Sequence, residues 1–149
     1  MQKLNFPTYN FRLRKNKEDL VEIFDPTRKK WLILTPEEWV RQHWIRFLTI
    51  ELAVPIALIG AETGLKIGER NKRSDVLVFK NGSPILLVEC KSHSIPINQA
   101  VLNQIISYNS QYQCKFLVLS NGINHKLFEV DYKNSKLNEI NELNNFEKW

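Results

Sequence analysis

The chain has 149 residues, of which 43% are hydrophobic and 25% are charged. These are ordinary values for a globular protein, and a single domain of this length buries roughly 70% of its unfolded surface. No apolar run approaches the roughly 20 residues of a transmembrane helix, and the N-terminus lacks the apolar stretch of a secretion signal, so we expect a cytoplasmic protein. The formal net charge of +5 suits an anionic partner such as nucleic acid without identifying one.

The first 34 residues predict a small β-structure. Aromatic and aliphatic residues alternate over 9–13 and permit a short strand. Apolar runs at 21–24 and 30–34, separated by the turn sequence Asp25-Pro26-Thr27, indicate a β-hairpin. We expect this hairpin to cap the core, and we assign no chemistry to it.

A strong helix start signal follows the hairpin. Thr35 is a typical N-cap, Pro36 occupies the first helical position, and Glu38 stands three residues after the Thr as in a capping box. The helix should run to about Leu52. Its two sides are an expected apolar stripe of Val40, Trp44, Phe47 and Leu48 and an expected solvent-facing side of Arg41, Gln42 and Arg46.

The remaining elements predict an α/β fold. Strands are expected near residues 58–67, 73–79, 85–91, 115–120 and 126–130, and a second helix near 97–112. The last residues, 134–149, form either a frayed helix or an ordered edge held by Phe146 and Trp149. This order predicts one domain with a central mixed sheet flanked by helices. Its parts are an N-terminal β-hairpin extension (1–34), a core (35–130) and a C-terminal tail (131–149).

The most unusual stretch is a predicted hairpin with charged residues at its open end. Its arms, 73–79 and 85–91, are rich in Val, Leu and Ile and flank an Asn-Gly turn signal. Asp75 lies near the start of the first arm, and Glu89 and Lys91 lie at the end of the second. An antiparallel hairpin brings these ends together. Two carboxylates on an otherwise apolar frame are costly to keep unless they serve a purpose.

The register of this hairpin decides whether the charged side chains form one site. Glu89 and Lys91 are two residues apart and therefore point to the same face. A two-residue Asn-Gly loop would pair Asp75 with Val88, whereas a three-residue loop or a β-bulge would pair Asp75 with Glu89. A shared site therefore predicts an odd-numbered loop or a bulge.

Facing carboxylates with a neighbouring lysine suit metal-dependent phosphodiester chemistry. Two carboxylates repel each other unless a cation lies between them. Oxygen ligands of this kind favour Mg²⁺ or Mn²⁺, and such an ion lowers the pKa of a bound water and stabilises charge on a phosphodiester. A lysine beside the metal can orient the water or stabilise the pentavalent transition state.

These residues also carry a resemblance. Asp75, followed after 14 residues by Glu89-Cys90-Lys91, resembles the motif of the PD-(D/E)xK nuclease superfamily. Residues from about 35 to 130 more closely resemble the N-terminal domain of type I restriction enzyme R subunits. The matching stretches are Pro36-Glu37-Glu38-x-Val40-Arg41-Gln42, Gly64-Leu65-Lys66-x-Gly68, Ser74-Asp75-x-Leu77-Val78, Leu87-Val88-Glu89-Cys90-Lys91, Gln104-x-x-x-Tyr108 and Leu117-Val118-Leu119-Ser120-Asn121-Gly122.

Two departures accompany the resemblance. Ser74 stands where the superfamily motif has Pro, a position that varies in type. The translocating helicase portion of an R subunit is not among these residues, so we do not expect a whole restriction subunit. DNA is the implied partner, together with a second copy of the chain or a helicase or specificity subunit, and no membrane.

The resemblance implies a role for each matching residue. Asp75 and Glu89 would bind Mg²⁺ or Mn²⁺, and Lys91 would be the catalytic lysine. Glu38 would approach the metal from the first helix, and the backbone carbonyl of Cys90 is a further candidate ligand.

Neighbouring residues complete the implied site. Gln104 and Tyr108 would correspond to a Q-x-x-x-Y motif beside it. A basic cluster that could line a phosphate path consists of Lys66, Arg70, Lys72 and Arg73.

Each of these residues also has a plain structural interpretation. The hairpin residues could form a salt-bridge cluster at a strand end. Glu38 is explained by the capping box, Tyr108 by the core and the basic cluster by a solvated turn.

The sequence therefore predicts a metal-dependent endonuclease-like domain that hydrolyses DNA phosphodiester bonds. One alternative is a nuclease-fold module that binds DNA or assembles with partners without cutting. The complete Asp, Glu and Lys set favours the enzyme, because a non-cutting module would be free to lose it. A nuclease that acts on RNA is a further alternative.

Overall fold

The computed structural model describes residues 1–60 and 75–149, which form two sheets and two helices. The N-terminal sheet has three antiparallel strands: β1 (Leu13–Lys15), β2 (Val21–Asp25) and β3 (Lys30–Ile33). The central sheet has six strands: β4 (Ile59–Gly60), β5 (Asp75–Lys80), β6 (Ser83–Cys90), β7 (Phe116–Ser120), β8 (His125–Asp131) and β9 (Lys136–Ile140). The helices are α1 (Pro36–Arg46), which continues as a π-helical turn at Phe47–Glu51, and α2 (Gln99–Tyr112).

This architecture confirms the predicted α/β class with a central mixed sheet and an N-terminal β-hairpin. The strand expected near 58–67 is described only at Ile59–Gly60, because residues 61–67 lie outside the described part of the chain. None of the described helices is long and apolar enough to cross a membrane.

The strands of the central sheet lie in chain order from β4 to β9. β6 and β7 are parallel, and α2 connects them, because parallel neighbours need a crossover that returns the chain to the starting edge. The other neighbouring strands are antiparallel. The carboxyl ends of β6 and β7 therefore lie side by side, with Glu89 beside Leu119 and Cys90 beside Ser120. We call this edge the Glu89 end of the sheet.

The two faces of the central sheet are covered by different helices. Val88 and the residues two positions away from it along β6 pack with Trp44 of α1. Leu87 and its alternate neighbours pack with Ile105 of α2. All four side chains are at most 2% exposed. Burial on both faces explains why these strands read as continuous apolar runs, and each such side chain contributes roughly 1.5–3 kcal/mol to folding.

Helix α1 is buried on both of its sides, which corrects one expectation. Thr35 caps it as predicted, since the Thr35 hydroxyl oxygen accepts a hydrogen bond from the Glu38 N–H at 3.1 Å. The predicted solvent-facing side is wrong for Arg41, which is 0% exposed, and for Gln42, which is 1% exposed, while Arg46 is half-buried. The reason is that the N-terminal segment packs on the side of α1 that faces away from the central sheet. The ring of Phe11 in this segment lies 4.7 Å from that of His43.

The C-terminal tail is an ordered edge, which decides between the two predicted alternatives. β9 pairs with β8, and the rings of Phe146 and Trp149 lie 5.3 Å apart against the α1-side core. The Lys80 ammonium donates to the carbonyl oxygens of Phe146 at 3.0 Å and Trp149 at 2.9 Å, which ties the tail to the closed end of the hairpin.

Gly122, in the turn between β7 and β8, is a position that strongly favours glycine. Its φ is +85°, a left-handed conformation that side chains rarely adopt. A Cβ atom there would lie 2.8 Å from a Leu4 methyl and 2.9 Å from a Val40 methyl. The first half of α1 is therefore packed directly against the Glu89 end of the sheet.

We predict that Gly122→Ala destabilises the protein more than Gly82→Ala. Gly82 has a similar φ of +79° but open space around its Cβ position, so its substitution costs only the backbone strain of about 1 kcal/mol. Gly122→Ala should cost about 1–3 kcal/mol more, because Leu4 and Val40 must move. Urea unfolding of both variants measures the difference. Equal losses would contradict the proposed close packing.

Candidate active site

The hairpin formed by β5 and β6 combines a tight turn with a β-bulge. Asn81 and Gly82 both have positive φ, +53° and +79°, as a two-residue hairpin turn of type I′ requires. Val78 then pairs with Leu86 while Phe79 pairs with Pro84, so Ile85 is the extra, bulged residue. Proline lacks an N–H to donate, and in strands it is confined to edges, strand starts and bulges.

The bulge sets the register at the open end of the hairpin. Beyond it, Asp75 lies directly opposite Glu89. This confirms the conditional prediction: the turn has two residues, and a bulge restores the pairing that a shared site needs. The side chain of Asp75 lies outside the described part of the structure.

Glu89 is a fully buried carboxylate held against a lysine. Its exposed fraction is 0%, and its Oε1 lies 3.0 Å from the Lys91 ammonium nitrogen. Lys91 is 23% exposed, so it connects the buried carboxylate with solvent. The Lys91 N–H donates to the Ser120 carbonyl at 2.8 Å, which extends the parallel pairing past the end of β6 and fixes the lysine in place.

Helix α2 covers the face to which Glu89 points. Glu89 shares its side of β6 with Leu87, which belongs to the α2-side core. Tyr108 is 7% exposed within that core, and Gln104, one turn nearer the helix N-terminus, is half-buried. Since α2 runs from the Glu89 end toward the start of β7, Gln104 lies one helical turn nearer the Glu89 end than Tyr108 does. Their catalytic roles stay predictions.

Asn121 positions the segment after Lys91, a role that the sequence did not reveal. Its Nδ2 donates to the Ile95 carbonyl at 2.8 Å, and its Oδ1 accepts from the N–H groups of Ile123 at 3.0 Å and Asn124 at 2.8 Å. The Asn-Gly pair was a visible turn signal. Its bond to a loop 26 residues away was not.

Glu38 belongs to a buried ionic network that links α1 to the N-terminal sheet. Its Oε1 accepts from Arg41 Nη1 at 2.8 Å and from Gln42 Nε2 at 2.8 Å. Arg41 Nη1 also donates to Asp25 Oδ2 at 2.5 Å, at the end of β2. The reciprocal capping-box bond is absent among the described residues, because the Thr35 N–H donates to the Ile33 carbonyl instead. Capping therefore does not account for the Glu38 carboxylate; a metal-binding role stays a prediction.

The Asp25 carboxylate is charged in the folded protein despite being 0% exposed. Burial raises its pKa, but the attraction of Arg41 and hydrogen bonds from Thr27, Arg41 and the Arg28 N–H outweigh that effect. Its pKa therefore lies below the ordinary 3.8. A depressed folded-state pKa contributes stability above the unfolded-state pKa, and this contribution is lost as the pH falls through the folded-state value.

We predict that Asp25→Asn lowers the free energy of unfolding by about 3 kcal/mol at pH 7, because it removes one partner of a buried ion pair. The difference from the parent protein should narrow as the pH falls below the ordinary pKa of 3.8 and through the lower folded-state pKa, where Asp25 itself becomes protonated. Urea unfolding at several pH values measures both effects.

Asp19→Asn is the matched control. Asp19 forms an ion pair with Lys15 at 3.0 Å but is 81% exposed, so its loss should cost less than about 1 kcal/mol. A deficit for Asp25→Asn that is equally small, or that does not change with pH, would contradict the buried network.

The described residues do not test the predicted basic cluster or the predicted metal site. The basic cluster of Lys66, Arg70, Lys72 and Arg73 lies outside them. Among the side chains that are described, no three His, Cys, Asp or Glu residues converge as a metal cluster, and the Asp75 carboxylate is not in that set. Cys90 and Cys114 are buried free thiols, and burial raises the pKa of Cys114 to about 12.

Comparison with known proteins gives one match. A family model described as type I restriction enzyme R protein N terminus (HSDR_N) matches residues 36–143. The matched span contains α1, the bulged hairpin, α2 and the rest of the central sheet. The three-stranded N-terminal sheet lies outside it. Searches of curated proteins and of solved structures found no match.

Proposed function

The chain belongs to the family of type I restriction enzyme R protein N termini, and from that membership we propose that it is a metal-dependent endonuclease of the PD-(D/E)xK type that hydrolyses DNA. The observation that carries the proposal is the bulge-set pairing of Asp75 with Glu89, with the Lys91 ammonium 3.0 Å from the Glu89 carboxylate. DNA is the proposed partner, and a second copy or a helicase or specificity subunit is a further proposed partner.

The donor set fits a divalent cation. A carboxylate that is 0% exposed must have its charge compensated, and Lys91 supplies one positive charge here. A second carboxylate at Asp75, directly across the strand pair, adds a negative charge opposite Glu89, and facing carboxylates favour a cation between them. Carboxylate oxygens are the ligands that Mg²⁺ and Mn²⁺ prefer. Asp75 and Glu89 would hold the ion, with Glu38 and the Cys90 carbonyl as further proposed ligands.

Side chains of the protein would position the phosphate and the attacking water. A bound Mg²⁺ would supply an activated water and charge stabilisation at the phosphodiester. Lys91 is ordered by Glu89 and by its backbone bond to Ser120, so its ammonium can meet charge that develops on the phosphate without a costly rearrangement. Gln104, half-buried on α2, is proposed to orient the phosphate or the water, and Tyr108 to keep that side of the site dry.

We predict that Lys91→Ala and Asp75→Ala each reduce Mg²⁺-dependent nicking of supercoiled plasmid DNA by roughly a hundredfold or more, because each removes a group that acts on the transition-state charge. The rate of conversion from supercoiled to open-circular DNA measures the effect. Thermal unfolding of each variant shows whether the fold is intact.

Lys115→Ala is the matched control for Lys91→Ala. Lys115 is also a lysine at a strand end, but it precedes β7 at the opposite end of the sheet and is 46% exposed. Its variant should nick DNA at the parent rate. Undiminished cleavage by either site variant would overturn the proposal. A parent protein that binds DNA without cutting, and whose Mn²⁺ binding is unchanged by Glu89→Gln, would support the non-cleaving module instead.

A further inference from the structure

We propose that the outer face of the three-stranded N-terminal sheet is a second DNA-binding surface, which contacts the phosphate backbone beside the proposed catalytic centre. We call this surface the arginine–aromatic face and define it by Arg12, Arg14, Phe24 and Trp31. It lies outside the family match, which begins at residue 36. The inference rests on the proposed function for the identity of the polyanion as DNA.

The first observation is the distribution of charge along the chain. Residues 1–34 contain eight Lys or Arg and four Asp or Glu, a net charge of +4. The rest of the chain contains 13 and 12, a net charge of +1. One of the four N-terminal acids, Asp25, is 0% exposed and paired with Arg41 and Arg28, so it places no negative charge on the surface. The positive charge of this protein is therefore concentrated on its N-terminal sheet.

The second observation is the order of the arginines. Phe24 of β2 pairs with Trp31 of β3, and the backbone of Arg12 bonds to that of Phe24 at 3.0 Å. The Arg12 guanidinium carbon lies 4.3 Å from the centroid of the Phe24 ring, and that of Arg14 lies 4.3 Å from the centroid of the Trp31 ring. Ile23, the neighbour of Phe24 in β2, is buried on the opposite face.

This stacking suits phosphate recognition. A guanidinium held over an aromatic ring is restrained in its position, which reduces the entropy lost when its N–H groups bind a phosphate. Arg12 is exposed, and the Arg14 side chain is 49% exposed while its Nε bonds to Glu22 at 2.6 Å. Such planar forks match phosphate oxygens in a bidentate manner. Four lysines in the same N-terminal region are also exposed: Lys15, Lys17, Lys29 and Lys30.

The third observation is the position of this sheet relative to the proposed catalytic centre. The Asp25–Arg41 bond ties the end of β2 to α1 at 2.5 Å. Val40, the neighbour of Arg41, packs against Gly122, just beyond the end of β7. The N-terminal sheet is therefore anchored, through α1, at the Glu89 end of the central sheet.

The test measures binding separately from cleavage. Fluorescence anisotropy with a labelled 20-base-pair duplex, in EDTA and over a series of salt concentrations, gives the affinity and its salt dependence for the full chain. The double variant Arg12→Gln, Arg14→Gln should bind at least tenfold more weakly at low salt. The slope of log K against log salt should fall by roughly 2, because two phosphate contacts are lost.

Two further double variants serve as controls. Lys133→Gln, Lys136→Gln removes the same charge from two exposed positions, in the turn after β8 and at the start of β9, and should bind as the parent does. Arg12→Lys, Arg14→Lys keeps the charge but not the planar fork, so it should keep most of the salt slope while losing affinity. Thermal unfolding of all variants shows that the sheet remains folded.

The outcomes separate this inference from the proposed nuclease activity. If the parent protein binds DNA without cutting it and the Arg12→Gln, Arg14→Gln variant binds more weakly, the DNA-binding surface is supported and the catalytic proposal is wrong. If the parent cuts DNA and the arginine variant binds as tightly as the parent, the surface is wrong while the nuclease stands. A parent protein that does not bind DNA, or an equal loss in the Lys133 and Lys136 variant, would also overturn the inference.

Discussion

A single β-bulge determines whether this fold can carry a site. Ile85 is the one residue that disturbs an otherwise regular hairpin, and without it Asp75 would face Val88. The period of side chains along a strand is two residues, so a shift of one residue moves every side chain to the other face. The bulge aligns Asp75 with Glu89, and the backbone bond from Lys91 to Ser120 then holds the lysine beside Glu89. Register, rather than the motif alone, brings the three residues together.

The buried network at the start of α1 is the second constraint. Arg41 joins two carboxylates, Asp25 and Glu38, that lie on different elements, and all three are at most 7% exposed. Removing a partner from such a group is costly, because the remaining charge stays buried. The network therefore fixes the N-terminal sheet to the core that the family shares. A segment outside the family match thus becomes a fixed part of the surface at the Glu89 end.

Local signals in the sequence were enough for most of the fold. The Thr35 cap, the Asn-Gly turn and the apolar periods of both helices predicted elements that the structure contains. The condition for a shared site was also visible, because strand geometry links loop length to register. The sequence did not show whether the chain adopts a three-residue loop or a two-residue turn with a bulge, since a bulge depends on how β6 packs between its neighbours.

The main wrong prediction was the solvent-facing side of α1, and its cause was a set of long-range contacts. A charged residue in an amphipathic helix reads as solvent-facing, and Arg41 was assigned in that way. Its partner Asp25 lies 16 residues earlier in a different sheet, so no helical period could show the pairing. Trp31 shows the same limit. Its ring is half-buried on the outer face of the N-terminal sheet, and only the strand register reveals the arginines beside it.

The most direct test of the central claim is anomalous diffraction from crystals of this chain soaked in MnCl₂. We expect an anomalous peak for Mn²⁺ between Asp75 and Glu89. The distance from the ion to a carboxylate oxygen of each residue should be about 2.0–2.2 Å, as for similar divalent ions. No such peak should appear in crystals of Glu89→Gln. A structure in which Mn²⁺ binds elsewhere, with no ion at Glu89, would contradict the claim that this hairpin holds a catalytic metal.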